Sequence, residues 1–162
     1  MFEHVGVVNY DEYFNDIKKL LKPDGVALLH SIGRKGKPSS TSSWLRKYIF
    51  PGGYSPSLSE VFPSIEQTGM WVTDVEIFRL HYAKTLRAWH DRFQENRKRI
   101  AELLDERFCR MWEFYLIGSE LTFSHGGHIV FQIQLAKTVT ALPITRDYLV
   151  AAETGLPLSS AR

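Results

Sequence analysis

A chain of 162 residues with 44% apolar and 13% aromatic side chains holds enough material for one buried core, which excludes disorder as its dominant state. Twenty Lys and Arg against eighteen Asp and Glu leave a formal charge of only +2, too balanced to point to a nucleic-acid partner. The single cysteine, Cys109, excludes an internal disulfide, no Cys/His group has structural-zinc spacing, and nothing reads as a signal peptide or membrane span. A reducing, cytoplasmic compartment is therefore expected, with any lipid met from the surface.

From Asn9 or Tyr10 onward, Tyr13, Phe14, Ile17, Leu20 and Leu21 recur at helical spacing, and Pro23 with Asp24-Gly25 stops the helix. The continuous apolar run Val26 to Leu29 reads as a strand covered on both faces and closed by His30-Ser31-Ile32-Gly33. That puts polar chemistry at a strand's carboxyl end, where ligands bind in open parallel sheets. Arg34 to Ser43 is a basic, Ser/Thr-rich loop, followed by Trp44, Tyr48, Ile49, Phe50 and the turn Pro51-Gly52-Gly53. Ser57 with Glu60 three residues on starts a short helix that Gly69 ends. Trp71 to Arg79 reads as a strand. The stripe from Leu86 through Trp89, Phe93, Ile100 and Phe108 to Tyr115 is too long for one globular helix, so two are expected, broken near Asp105. After a turn at 124–127, Ile129 to Ala136 alternates with the period of a strand. Thr138 to Arg162 is weakly patterned and is expected to fray after Leu149. The sum is an α/β domain.

No dinucleotide fingerprint, phosphate loop or nucleophile elbow is present. His125-Gly126-Gly127-His128 brings two imidazoles together without a carboxylate or thiolate to complete a shell, so no metal is expected. Arg34, Lys35, Lys37, Trp44, Arg46, Lys47 and Tyr48 could form an interfacial patch for anionic headgroups or a solvated loop. By residue type alone, Glu3 reads as a solvated carboxylate, His30 as a satisfied core residue and Tyr82 as a buried amphipathic ring.

The segments MFEHVG, YFNDIKKLLKPDG, LLHSIG, YIFPGG, SPSLSEV, HYAKTLRAWHDRF, RFCRMWEFYL and VFQIQLAK, in order from residue 1 to about 137, closely resemble the carboxyl-terminal half of cyclopropane-fatty-acyl-phospholipid synthases. The resemblance implies a partial class I methyltransferase (Rossmann-like) fold: the last three strands of the order 3-2-1-4-5-7-6, with their helices. It implies that the Gly-rich cofactor-binding half precedes MFEHVG and is absent here, that residues 138–162 are an extension, and that the edge of the first strand is bare.

It also implies S-adenosylmethionine as methyl donor and the cis double bond of phospholipid acyl chains as acceptor, with a bound bicarbonate removing the proton that closes a three-membered ring. By motif position Glu3 and His30 would hydrogen-bond this bicarbonate, Ile32 would offer its backbone N–H and Tyr82 its hydroxyl. Tyr115, in the FYL element, would face the acyl chain. Cys109 matches no family cysteine and reads as packing. Two functions follow as expectations. One is a methyltransferase fragment, inactive alone, working at the inner membrane face beside a separately encoded amino-terminal half. The other is a non-catalytic lipid-surface or protein-interaction module.

Overall fold

The computed structural model describes residues 1–155. Three strands, β1 (Val26–Arg34), β2 (Trp71–Phe78) and β3 (His128–Ala136), form one sheet in the order β1-β3-β2. The central β3 runs antiparallel to both neighbours, so β1 and β2 are parallel to each other. A shift between Val72 and Asp74 marks the one irregularity of the β2–β3 ladder.

Strand alternation divides the apolar residues between the two faces. Leu29 on β1 and Ile129, Phe131, Ile133 and Leu135 on β3 point to one side, where α1 (Tyr10–Leu20) and α3 (Leu58–Thr68) cover them with Tyr10, Phe14, Val61 and Ile65. Phe2, in a 3-10 turn at Phe2–His4, is buried in the same cluster and lies 4.5 Å from the Tyr10 ring, centroid to centroid. Val130 points the other way. Together with Ile32 and Phe78 it packs under a hairpin of two long helices, α4 (His81–Leu103) and α5 (Glu106–Ser124). The break falls where the apolar stripe predicts it: Asp105 is the N-cap of α5 and its carboxylate accepts the Phe108 N–H at 2.6 Å.

Two sequence expectations need correction. The first strand does not close at His30. The β3 backbone offers partners as far as His128, so the ladder continues to Arg34 whatever the side-chain polarity, and His30 sits mid-strand opposite Gln132. Nor is the apolar run covered on both faces. Val26 and Leu28 are 39% and 59% exposed, because α4 and α5 reach only the Val130 end of that face.

Two helices lie where the sequence suggested none. Ser42 Oγ accepts the Leu45 N–H and starts α2 (Ser43–Tyr48). Beyond β3 the chain returns to the sheet, where Arg146 pairs with Asp74 at 2.6 Å and Tyr148 donates to Gln134. These contacts anchor α6 (Asp147–Thr154). The last stretch of the tail expected to fray, 156–162, lies outside the described residues.

Candidate active site

The site begins with the turn at Phe2–His4. Burial of Phe2 holds this turn against the end of the sheet, and the Glu3 carbonyl accepts the Tyr54 N–H at 2.8 Å, tying it to the loop before α3. The Glu3 side chain then reaches β1. Its Oε1 accepts the Ile32 N–H at 2.7 Å and the Ser31 hydroxyl at 3.0 Å, while Oε2 accepts from the terminal amine of Met1 at 3.1 Å. Burial alone would push this carboxyl up. Hydrogen bonds from the Ile32 amide, its own amide, the terminal amine and Ser31 outweigh burial and hold it below the usual carboxylate range. Glu3 is an ionised, half-buried group at neutral pH.

The close fit around this contact comes from Gly33. A Cβ there would stand 2.6 Å from the Phe131 ring and 2.8 Å from the Pro56 carbonyl oxygen, the same oxygen that accepts the Arg34 N–H at 2.9 Å. Only glycine lets β1 approach the loop so closely.

On the other side of β1, Ile32 and Tyr82 pack on one apolar cluster that includes Tyr115 and Phe123. Tyr82 is the second residue of α4, its ring 4.9 Å from Phe123. Burial, with the Glu3 charge second, pushes its hydroxyl pKa up. Tyr115 is buried beside Trp112 and Phe50, at centroid separations of 5.0 and 5.7 Å, and burial followed by the proximity of Tyr82 pushes it up to about 12. Both phenols are neutral at physiological pH.

The structure thus brings Glu3 onto the Ile32 amide, and places Tyr82 within reach of the Glu3 charge and Tyr115 within reach of Tyr82. His30 stands apart. It shares a face with Ile32 two residues along the strand, about 7 Å away, but is exposed and its Nδ1 is 3.1 Å from the Gln132 amide. Ser31 is the residue that sequence reasoning missed. Its role follows from its burial, which the sequence does not show: a fully buried hydroxyl in a strand needs a partner. Cys109 is fully buried in the second cluster, as packing requires.

A family model described as CMAS, mycolic acid cyclopropane synthetase, matches residues 1–133. The chain belongs to this family. It is 43% identical over 116 residues to the cyclopropane-fatty-acyl-phospholipid synthase of Escherichia coli K12, a match covering 72% of this chain and 30% of that protein. It is 38% identical over 143 residues to tuberculostearic acid methyltransferase UfaA1 of Mycobacterium tuberculosis, covering 85% and 34%. Among solved structures, cyclopropane synthase MmaA2 from M. tuberculosis superimposes with a TM-score of 0.78 at 30% identity, over 84% of this chain and 52% of that one. Mycolic acid cyclopropane synthase CmaA1, complexed with SAH and CTAB, gives a TM-score of 0.76 at 32% identity, with coverage of 83% and 52%. The chain spans about a third of these curated relatives and about half of the solved ones. The family is one of S-adenosylmethionine-dependent methyltransferases, and the β1-β3-β2 sheet is the corresponding part of their fold.

The described residues alone fit neither small molecule that the family resemblance implies. The Ile32 N–H has one hydrogen and Glu3 takes it, so a bicarbonate in that place would have to displace the carboxylate. For the methyl donor, the sequence holds no Gly-rich fingerprint, and the cluster around Ile32, Tyr82 and Tyr115 is packed with side chains.

Proposed function

We propose that this chain is the Glu3-bearing part of an S-adenosylmethionine-dependent methyltransferase that adds a methylene to the cis double bond of phospholipid acyl chains. In this reading residues 1–137 belong to the methyltransferase unit and 138–162 are an extension. The chain is inactive alone and is completed by a polypeptide carrying the Gly-rich turn, at the cytoplasmic face of a membrane. The observation that carries the reading is the ionised Glu3 carboxylate, half-buried against β1 with the neutral Tyr82 within reach of its charge and Tyr115 next to Tyr82.

Methyl transfer from a sulfonium to an alkene breaks the S–CH3 bond, releases the neutral thioether and leaves a carbocation that closes to the ring when a base takes one proton. The site therefore needs a negative group beside the cation, a proton acceptor and a wall that excludes water. Glu3 supplies the charge. Tyr82 supplies a hydroxyl at that wall, and Tyr115 with its aromatic neighbours supplies the apolar surface for the acyl chain. A bicarbonate base held by Glu3, His30, Ile32 and Tyr82 belongs to this reading only if Glu3 releases the Ile32 amide, and His30 would have to leave Gln132.

The test joins the amino-terminal part of the E. coli relative, up to its segment matching MFEHVG, in frame to Met1. The chimera should transfer labelled methyl from S-adenosylmethionine to phospholipid vesicles, and the 162-residue chain should not. A folded but inert chimera overturns the assignment in favour of the non-catalytic module, and transfer by the isolated chain overturns the need for a completing half.

A further inference from the structure

A groove of about 610 Å³ opens between α2 and the first turns of α5, and Glu3 is not among the residues that line it. Its floor is apolar, made by Trp44, Phe108, Met111 and Phe114, with Tyr48 at the rim. Trp44 and Phe114 meet edge to face at 4.8 Å, and Phe114 remains 62% exposed. An aromatic surface this open is costly in water unless something covers it.

The charges around the groove say what covers it. Arg107 and Arg110 line it from α5, while Arg46 and Lys47 occupy the last turn of α2, with the Lys47 ammonium 5.1 Å from the Tyr48 ring centre. Among the described residues none of these four cations has an ion-pair partner. Asp105 is the one acid lining the groove, where its carboxylate caps α5, while Glu106 and Glu113 both pair with Arg97. Exposed Lys35 and Lys37 add to the same sign in the loop that leads into α2.

We infer that this groove docks the chain on an anionic lipid surface, the four cations meeting headgroup phosphates while Tyr48, Trp44 and Phe114 enter the interface. Trp and Tyr beside Arg and Lys suit that boundary, because the rings are apolar bodies with polar edges and each cation near an anionic leaflet adds to binding. The inference shares its lipid partner with the methyltransferase reading but rests on a different part of the surface.

Co-sedimentation of the full chain with vesicles of phosphatidylcholine, with and without phosphatidylglycerol, tests it. Binding should require phosphatidylglycerol and weaken with added salt. The pair Arg107→Glu and Arg110→Glu should lower partitioning about tenfold or more. Phe114→Ser alone, at an exposed position, should lower it while the chain still melts cooperatively, with only the small loss expected of its Trp44 contact. Arg92→Glu with Arg99→Glu, on exposed positions of α4, should leave it unchanged. If the parent chain ignores anionic vesicles, if groove variants bind like the parent, or if the α4 pair is as damaging, the groove serves a protein or another part of the polypeptide and the inference is wrong. Lipid binding with an inert chimera sinks only the methyltransferase reading, whereas an active chimera with no groove-dependent binding sinks only this one.

Discussion

Glu3 and Ile32, 29 positions apart, are joined by one short hydrogen bond of 2.7 Å from the Ile32 amide to the Glu3 carboxylate. That bond ties the turn at the start of the chain to the strand that carries the site. With the bonds from Ser31, the terminal amine and its own amide, it also helps hold the Glu3 carboxyl ionised.

Glu3→Ala should destabilise the chain by about 1–3 kcal/mol, because it leaves the Ile32 N–H without its acceptor, while the Ser31 hydroxyl keeps the Ile32 carbonyl. Glu3→Gln keeps an acceptor oxygen and should cost clearly less. Urea denaturation of the two variants against the parent measures the difference.

The same carboxylate should make stability depend on acid. Its folded pKa lies below the ordinary value, so its contribution is present above that value and is lost as pH falls through the folded one. Denaturation midpoints followed from neutral to acid pH should fall more steeply in the parent than in Glu3→Gln.

Gly33→Ala should cost about 1–3 kcal/mol, since the added methyl meets the Phe131 ring and the Pro56 carbonyl at once. Gly36→Ala, in open space three residues on, should change the urea midpoint little.

Tyr115 should be the mirror image of Glu3. Its pKa is raised to about 12 by burial, so the folded state holds its proton more tightly. The stability it contributes is present below the ordinary tyrosine value and is lost as pH rises through about 12. Alkaline titration of tyrosinate absorbance should lose one tyrosine's share of its late rise in Tyr115→Phe, while Tyr10, pushed up further by burial, still titrates.

Much of the fold was legible in the sequence because long amphipathic patterns report burial directly. The spacing of Phe14 and Ile17, and the stripe from Leu86 to Tyr115 with its break at Asp105, could be read without a structure. Short elements held by a few local bonds could not. The six-residue α2 depends on one Ser42 cap inside a Ser/Thr run, and α6 is placed by Arg146 and Tyr148 contacts to residues far along the chain.

The polar half of β1 was hidden for a related reason: backbone pairing to β3 carries the strand through His30 and Ser31, which side-chain pattern alone marks as an end. Glu3 and Tyr82 were named as site residues only through family motifs, since nothing in their spacing announces that one reaches the other's surroundings. Ser31 was missed because its role appears only once its burial is known.

The most direct test of the central claim is methyl transfer to phospholipid vesicles by the in-frame chimera carrying Glu3→Gln or Tyr82→Phe. If a fixed charge at Glu3 and a hydroxyl at Tyr82 serve the reaction, Glu3→Gln lowers the rate by about 100-fold or more and Tyr82→Phe lowers it too, with both chimeras still cooperatively folded at the assay temperature. Transfer at the parental rate by the Glu3→Gln chimera would contradict the account.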